Sequence, residues 1–255
     1  MASRFAGFVD MAIAATNFAD LRQALIDFHT ASGIAMMSYH HRPPPGALDY
    51  TQQIAVAAHG FPGAWVEKYE QAFTLCDPIT RHALCATESF FWSEARHFDD
   101  LSSEEEHYLK QLDEAGLGDG LAVPVFGPLG RNGYVGLGFG TDDYQPDTKT
   151  VTFLQAACQL GHQHYCRMLH ARQPSAVHLS PRESEILIWV ARGKSNAVIA
   201  DILEISGHTV DTHLRRTFIK LGVQDRSGTG LVGIRRVDDG SYIGARAPEL
   251  PLLVG

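Results

Sequence analysis

Between Leu179 and Leu221 the chain reads LSPRESEILIWVARGKSNAVIADILEISGHTVDTHLRRTFIKL, and few folds accept that pattern. Ser180-Pro181-Arg182-Glu183 has the form of a capping box, with Ser180 at N-cap, Pro181 at the first helical position and Glu183 reaching back. Ile186, Leu187, Trp189 and Val190 then recur at helical spacing up to Gly193, which suits the residue after a helix end. Ser195 or Asn196 opens a second helix, expected to bury Val198, Ile199, Ile202 and Leu203. After a turn containing Ile205, Ser206 opens a third helix. Val210, Leu214, Phe218 and Leu221 lie on one side of it; Asp211, Thr212, Arg215, Arg216 and Lys220 lie on the other. Two short helices and a turn leading into a basic-faced helix is the helix-turn-helix layout, whose last helix enters the DNA major groove. The plainer alternative is a small helical bundle with a solvated charged face.

Charge separates that segment from the rest. Net charge is −8, which would disfavour nucleic acid if it were evenly spread. Residues 1–172 hold 11 basic side chains against 20 acidic ones, residues 179–236 hold 9 against 6, and residues 237–255 hold 1 against 3. The positive excess lies where phosphates would be met. An apolar content of 45% is ordinary for a soluble protein, and no apolar run approaches the roughly 18 residues of a membrane span. Asp10 interrupts the apolar N-terminus, which reads as an amphipathic helix and not a signal peptide. Cys76, Cys85, Cys158 and Cys166 form no C-x-x-C pair; reduced thiols and a cytoplasmic location are expected, without a membrane partner.

Before the linker at 172–178, residues 1–171 form a separate unit. Two helices occupy the first thirty residues, the second capped by Thr16 or Asn17. Ile34 to Tyr39 reads as a strand and His40 to Gly46 as a loop. Gln53 to Ala58 is a further strand, and Phe61 to Trp65 opens a helix running past Tyr69. Asp77-Pro78 starts another helix, Phe90 to Trp92 is strand-like, and the acidic helix after Leu101 stops near Gly116. Its acidic run is read as a solvated face placed favourably on the helix dipole. Gly120 to Phe126 and Gly133 to Gly140 form a hairpin, followed by a long helix from Asp147 to Arg172. The GLGFG run from Gly136 to Gly140 lacks the helix that must receive a phosphate, so its glycines are read as clearance for something bulky against the sheet. His40-His41 and His162/His164 point to different sides of their elements, so no metal site is expected. The fold class that results is α/β: an N-terminal α-β-α sandwich with an antiparallel sheet, then an all-α helix-turn-helix domain at 179–237 and a tail at 238–255.

Leu179 to Glu183, Gly193 to Ala200, Ser206 to His213 and Lys220 to Val223 together carry L-S-P-R-E, G-K-S-N-x-x-I-A, S-x-x-T-V-x-x-H and K-L-G-V. In these the segment resembles the DNA-binding domain of the LuxR family of transcription regulators. The first 171 residues resemble the same family's acyl-homoserine-lactone-binding domain in Phe61, Trp65, Tyr69, Asp77-Pro78, Phe91-Trp92, and Gly120 with Pro124. The resemblance implies a quorum-sensing regulator that binds the lactone as ligand, with no cofactor, and acts as a homodimer on a palindromic site in double-stranded DNA. RNA polymerase is a further candidate partner. A small amide-linked lactone needs an apolar cavity, a donor for its ring carbonyl and an acceptor for its amide N–H. Trp65 can supply the donor and a buried Asp77 the acceptor, while Tyr69 and Trp92 wall the site. Ordinary core packing would equally explain the aromatics, and helix capping would explain Asp77.

Three departures from the family pattern stand out. The interval from Tyr69 to Asp77 is one residue short. Phe61 replaces a tyrosine, and Gly138 replaces a serine or threonine, both donors to the acyl carbonyl in relatives. A drier, roomier pocket of this kind suits a branched or aromatic acyl group. On the third helix, Thr212 and Arg215 are expected at base edges, and Thr209, His213, Arg216 and Lys220 at phosphates. Asp211 would favour the helix dipole or accept from a cytosine amino group. The family's fourth helix would correspond to residues 226–234, where three glycines disfavour a helix, so dimerisation is expected to rest on the N-terminal domain. No receiver-type acidic pair or catalytic constellation is present, so an enzyme is not expected. The rival reading is an orphan regulator responding to a non-lactone signal or to none.

Overall fold

The computed structural model describes residues 1–42, 55–140, 144–172 and 179–221. The chain divides into two compact units, Met1–Arg172 and Gln173–Gly255. The first carries α1 (Ala2–Ala14), α2 (Phe18–Ala31), β1 (Met36–Arg42), β2 (Ala55–His59) and α3 (Gly63–Lys68). A π-helical turn (Tyr69–Phe73), α4 (Pro78–Ala83), β3 (Phe90–Phe91), a 3₁₀ turn (Trp92–His97) and α5 (Ser103–Glu114) follow. The unit ends with β4 (Gly120–Val125), β5 (Asn132–Gly138) and the long α6 (Thr148–Arg172). The five strands form one sheet in the order β2-β1-β5-β4-β3, antiparallel throughout.

Helices cover both faces, so the strands bury both sets of their alternating side chains. Met37, Leu121, Val123, Val125, Val135, Leu137 and Phe139 face one way and pack with Phe8, Leu21, Phe28 and Leu154 from α1, α2 and α6. The intervening residues face α3, α4 and α5, where Trp65, Tyr69, Ile79, Trp92 and Tyr108 form a second core. This is the α-β-α sandwich expected from the element order. Asn17, not Thr16, caps α2, accepting from the Asp20 N–H at 3.0 Å.

Two expectations change. Strand β1 runs on through His40 and His41, because β5 pairs it as far as Arg42↔Asn132 and β2 flanks it to His41↔Ala55. Both histidines are therefore buried strand residues; the rest of the expected loop, and Gln53-Ile54, lie outside the described residues. The acidic run is only partly a solvated face. Glu105 is buried, completes the capping box of α5 with Ser102, and pairs with Arg81.

In the second unit, α7 (Pro181–Ala191), α8 (Asn196–Ile202) and α9 (Gly207–Leu221) enclose a core of Ile186, Val190, Ile199, Ala200, Val210 and Leu214. Ser180 and Glu183 make the predicted capping box, and Ser195 caps α8. Gly193, at φ +74°, ends α7, with Lys194 N–H reaching back to the Trp189 carbonyl. Glu204 takes the same left-handed conformation after α8, at φ +53°, and Ile205 N–H bonds the Ala200 carbonyl. Val198 and Ile202, expected in the core, are 40% and 41% exposed, since α8 is only two turns long and turns Ile199 and Ala200 inward. The linker, the segment 226–234 and the tail 238–255 lie outside the described residues, apart from the end of α6 at Arg172.

His29 makes the first unit's stability depend on pH. Its Nδ1–H donates to the Leu25 carbonyl at 2.7 Å, leaving Nε2 to accept from the Cys158 thiol at 3.4 Å. Burial pushes its pKa down to about 4, and burial likewise pushes His40 down to about 3. In the unfolded chain a histidine takes its proton near pH 6.5. The stability these neutral rings contribute is complete above that pH and is lost as pH falls towards the folded values. Urea midpoints of the full-length protein should fall between about pH 6.5 and 4, and His29→Gln should flatten that slope.

Candidate functional site

A cavity of about 310 Å³ lies between the sheet and the helices of the second core. Its floor is built by strand alternation. Across β1, β5 and β4, His40 stands beside Tyr134 and Pro124, Ser38 beside Gly136 and Ala122, and Met36 beside Gly138 and Gly120. The opposite wall comes from Trp65 on α3, Tyr69 on the π turn, Ile79 on α4, and Tyr108 and Leu112 on α5. Phe61 closes the side next to β2, its ring stacked 6.4 Å from that of Trp92 at 25°.

Asp77 is 5% exposed and binds four donors. Oδ1 accepts from the Ile79 N–H at 2.9 Å and the Thr80 N–H at 3.2 Å, capping α4. Oδ2 accepts from the Thr80 hydroxyl at 2.6 Å and the Tyr69 hydroxyl at 2.8 Å. Capping and cavity lining, separate readings from sequence, are thus met by one residue. Burial raises the Asp77 pKa, opposed by these hydrogen bonds. Burial, helped by the Asp77 charge, also holds the phenols of Tyr69, Tyr108 and Tyr134 well above their ordinary range. They are neutral donors at physiological pH.

Phe61, Trp65, Tyr69, Asp77 and Trp92 all line the cavity; Gly138 does not. A Cβ at Gly138 would stand 2.8 Å from Met36 Cε and 3.0 Å from the Trp92 ring, and a Cβ at Gly120 would stand 2.5 Å from the same ring. Gly138 therefore lies behind Trp92, and its part is to let the indole lie flat on two paired glycines. The residues that sequence reasoning missed are Ser38, His40, Tyr108 and Tyr134. Three of these were within reach of strand alternation, since Ser38, His40 and Tyr134 share a face with Gly136 and Gly138. Ending β1 at Tyr39 hid His40, while Ser38 and Tyr134 lay within the expected strands and were not sorted by face.

On α9, Arg215 and Arg216 are exposed and Thr212 is half-buried, its hydroxyl bonded back to the His208 carbonyl at 2.9 Å. His208, exposed in the first turn one helical turn before Thr212, belongs to the same row and was not singled out from sequence. Thr209 is tied to Ser206, hydroxyl to hydroxyl at 2.8 Å. The half-buried His213 keeps Nδ1 inside with no partner among the described residues.

Two of the expected DNA contacts also have partners inside the domain. Asp211 accepts from the Asn196 side chain of α8, which joins the two helices of the motif. Lys220 Nζ pairs at 2.7 Å with Glu183, itself buried at the start of α7. That carboxylate also accepts from the Ser180 N–H at 2.7 Å, so Lys220 neutralises a buried acid before it can meet a phosphate.

Residues 17–165 match the autoinducer binding domain, and residues 177–229 match the bacterial regulatory proteins of the luxR family. The transcriptional activator protein BjaR1 of Bradyrhizobium diazoefficiens is 30% identical over 181 residues, spanning 71% of this chain and 74% of that protein. RpaR of Rhodopseudomonas palustris, an HTH-type quorum sensing-dependent transcriptional regulator, is 28% identical over 67% of this chain and 69% of its own length. Among solved structures, SdiA of Escherichia coli shares the fold, with a TM-score of 0.66 at 21% identity over 92% of this chain and 97% of that one. A buried aromatic cavity on one unit and a helix-turn-helix on the other are the two parts these matches describe. The chain belongs to the LuxR family of transcription regulators, an autoinducer-binding protein with a helix-turn-helix DNA-binding domain and not an enzyme.

Proposed function

We propose that the autoinducer is an N-acyl-homoserine lactone with a compact acyl group, and that the liganded chain binds a palindromic operator as a homodimer. The cavity carries this reading. It offers a buried carboxylate to an amide N–H and indole and phenol donors to carbonyls, with Phe61, Trp92 and Tyr108 among its walls. At about 310 Å³ it stands at the lower end of the roughly 300–1,000 Å³ usual for ligand pockets, which favours a short, branched or aryl group over a long straight chain.

Asp77 already has four donors, about the capacity of a carboxylate. A ligand N–H must displace one of them. Of the four, three come from Ile79 and Thr80 of the helix that Asp77 caps, and the Tyr69 hydroxyl alone comes from another element lining the cavity, so Tyr69 is the donor that yields. Its proton is then free for a ligand oxygen, which offsets the donor absent at Phe61. Ligand that binds only the folded chain stabilises it by RT ln(1 + [L]/Kd), about 2.7 kcal/mol at one hundred times Kd. Folding, dimerisation and DNA binding follow from that linkage.

Isothermal titration of the full-length protein with a lactone panel tests the assignment. Short branched and aryl lactones should bind tightest and raise the melting temperature; a preference for long straight chains would remove the compact-acyl reading, and no binding by any lactone would remove the lactone itself. Trp65→Phe, which keeps the ring and removes the indole N–H, should weaken binding about tenfold.

The helix-turn-helix makes separate predictions in DNA titrations. Arg215→Ala should relax sequence preference, whereas Arg216→Ala should weaken binding to all sequences and reduce the salt slope by about 1. Lys220→Ala should leave that slope unchanged and lower the domain's stability by about 1 kcal/mol or more, because Glu183 loses its partner.

A further inference from the structure

The sheet side of the cavity is polar where an acyl tail would lie. Ser38 and His40 are two apart on β1, and Tyr134 sits opposite His40 on β5, so all three rise from the same face. They are 8%, 4% and 3% exposed and all line the cavity. Gly136, opposite Ser38, is what brings them together. A Cβ there would stand 2.6 Å from the Ser38 hydroxyl and 2.6 Å from the Tyr134 hydroxyl, so the two oxygens share the space that a side chain would fill. His40 Nε2 lies 3.0 Å from the Ser38 hydroxyl, and its ring packs 4.8 Å from that of Tyr134.

These groups are incompletely paired within the protein. The neutral His40 ring has one donor and one acceptor nitrogen, and Nδ1 has no partner among the described residues. Trp92 Nε1, also buried, faces the Tyr134 hydroxyl oxygen as a donor. A hydrocarbon tail laid over this floor would strip water from the hydroxyls and return nothing. A tail carrying an oxygen would restore their hydrogen bonds.

Resting on the lactone reading above, we propose that the autoinducer's acyl group ends in a hydroxyl, held in the niche over Gly136 by Tyr134 and Ser38. A ligand hydroxyl both donates and accepts. The Tyr134 O–H donates to the ligand oxygen, and the ligand's own proton goes to the Ser38 oxygen. His40 is a positioning residue: with Nε2 on Ser38, it fixes where that oxygen points. The class of signal is a compact hydroxylated acyl group, a para-hydroxyphenyl tail being the rigid version.

The test titrates the full-length protein with a para-hydroxyphenyl-terminated acyl-homoserine lactone, its phenyl counterpart lacking only the hydroxyl, and the hydroxyphenyl amide without a lactone ring. The hydroxylated lactone should bind at least about tenfold tighter than the phenyl one, since a site built to bond a hydroxyl discriminates against the analogue without it. Tyr134→Phe should bring that ratio close to one, and Gly136→Ala, which fills the niche, should do the same. His40→Phe should lower the ratio, a readout that loss of stability alone would not move. Equal affinity for the two lactones in the unaltered protein, or a ratio that survives both Tyr134→Phe and Gly136→Ala, would overturn the proposal. If the lactones fail but the ring-free amide binds with the same dependence on Tyr134, the niche stands and the lactone reading falls. If none of the three binds, both fall.

Discussion

The Asp77 carboxylate joins three things that would otherwise be independent: the start of α4, the hydroxyl of Tyr69 on the π turn, and the wall of the cavity. Burying a carboxylate is unfavourable unless hydrogen bonds replace its water, and here four donors do so. Those bonds fix the turn between α3 and α4 to within the reach of one side chain. The π turn fits this geometry. It runs from Tyr69 to Phe73, with Thr74 N–H bonded to the Tyr69 carbonyl, and such turns are frequent at functional sites. Between Tyr69 and Asp77 the widened turn leaves the phenol hydroxyl on the carboxylate.

Opposite that carboxylate, the cavity depends on side chains that are missing. Gly120 and Gly138 face each other across β4 and β5, and the Trp92 indole lies where their Cβ atoms would be. Gly136 does the same for the hydroxyls of Ser38 and Tyr134. Glycine weakens a strand through its entropy and lack of packing. The sheet accepts that loss in three places on one face, while Leu121, Val123, Val135 and Leu137 on the reverse face are buried against α1, α2 and α6. One face supplies cohesion and the other supplies room, a division that period-two alternation makes available to a sheet covered on both sides.

The sequence was most informative where local chemistry acts alone. The capping box at Ser180, the left-handed Gly193 and the tryptophan-aspartate spacing all announce themselves within a few residues. Gly138 was misjudged because its environment comes from Trp92 and Met36, neither of which adjoins it in sequence. Lys220 was read as a phosphate contact and Asp211 as a dipole or base contact, with no partner inside the domain, because charge on an exposed helix face is ordinarily solvated. Their partners, Glu183 and Asn196, lie 37 and 15 residues away. His40 was lost to a strand end placed three residues early, an error that hides every later side chain on that face.

These internal pairings change how the recognition helix can act. With Lys220 neutralising Glu183 and Asp211 held by Asn196, the described surface of α9 offers Arg215 and Arg216 as exposed cations outside that ion pair, with Thr212 and His208 beside them. Each phosphate that a cation neutralises adds about 0.9 to the salt slope, so a helix with two such cations has a shallow electrostatic contribution. Sequence reading then rests on a short row of side chains, and one module alone discriminates little. Two modules on one palindrome double both terms and convert the second contact into an intramolecular one. The homodimer proposed above would supply that second set of contacts.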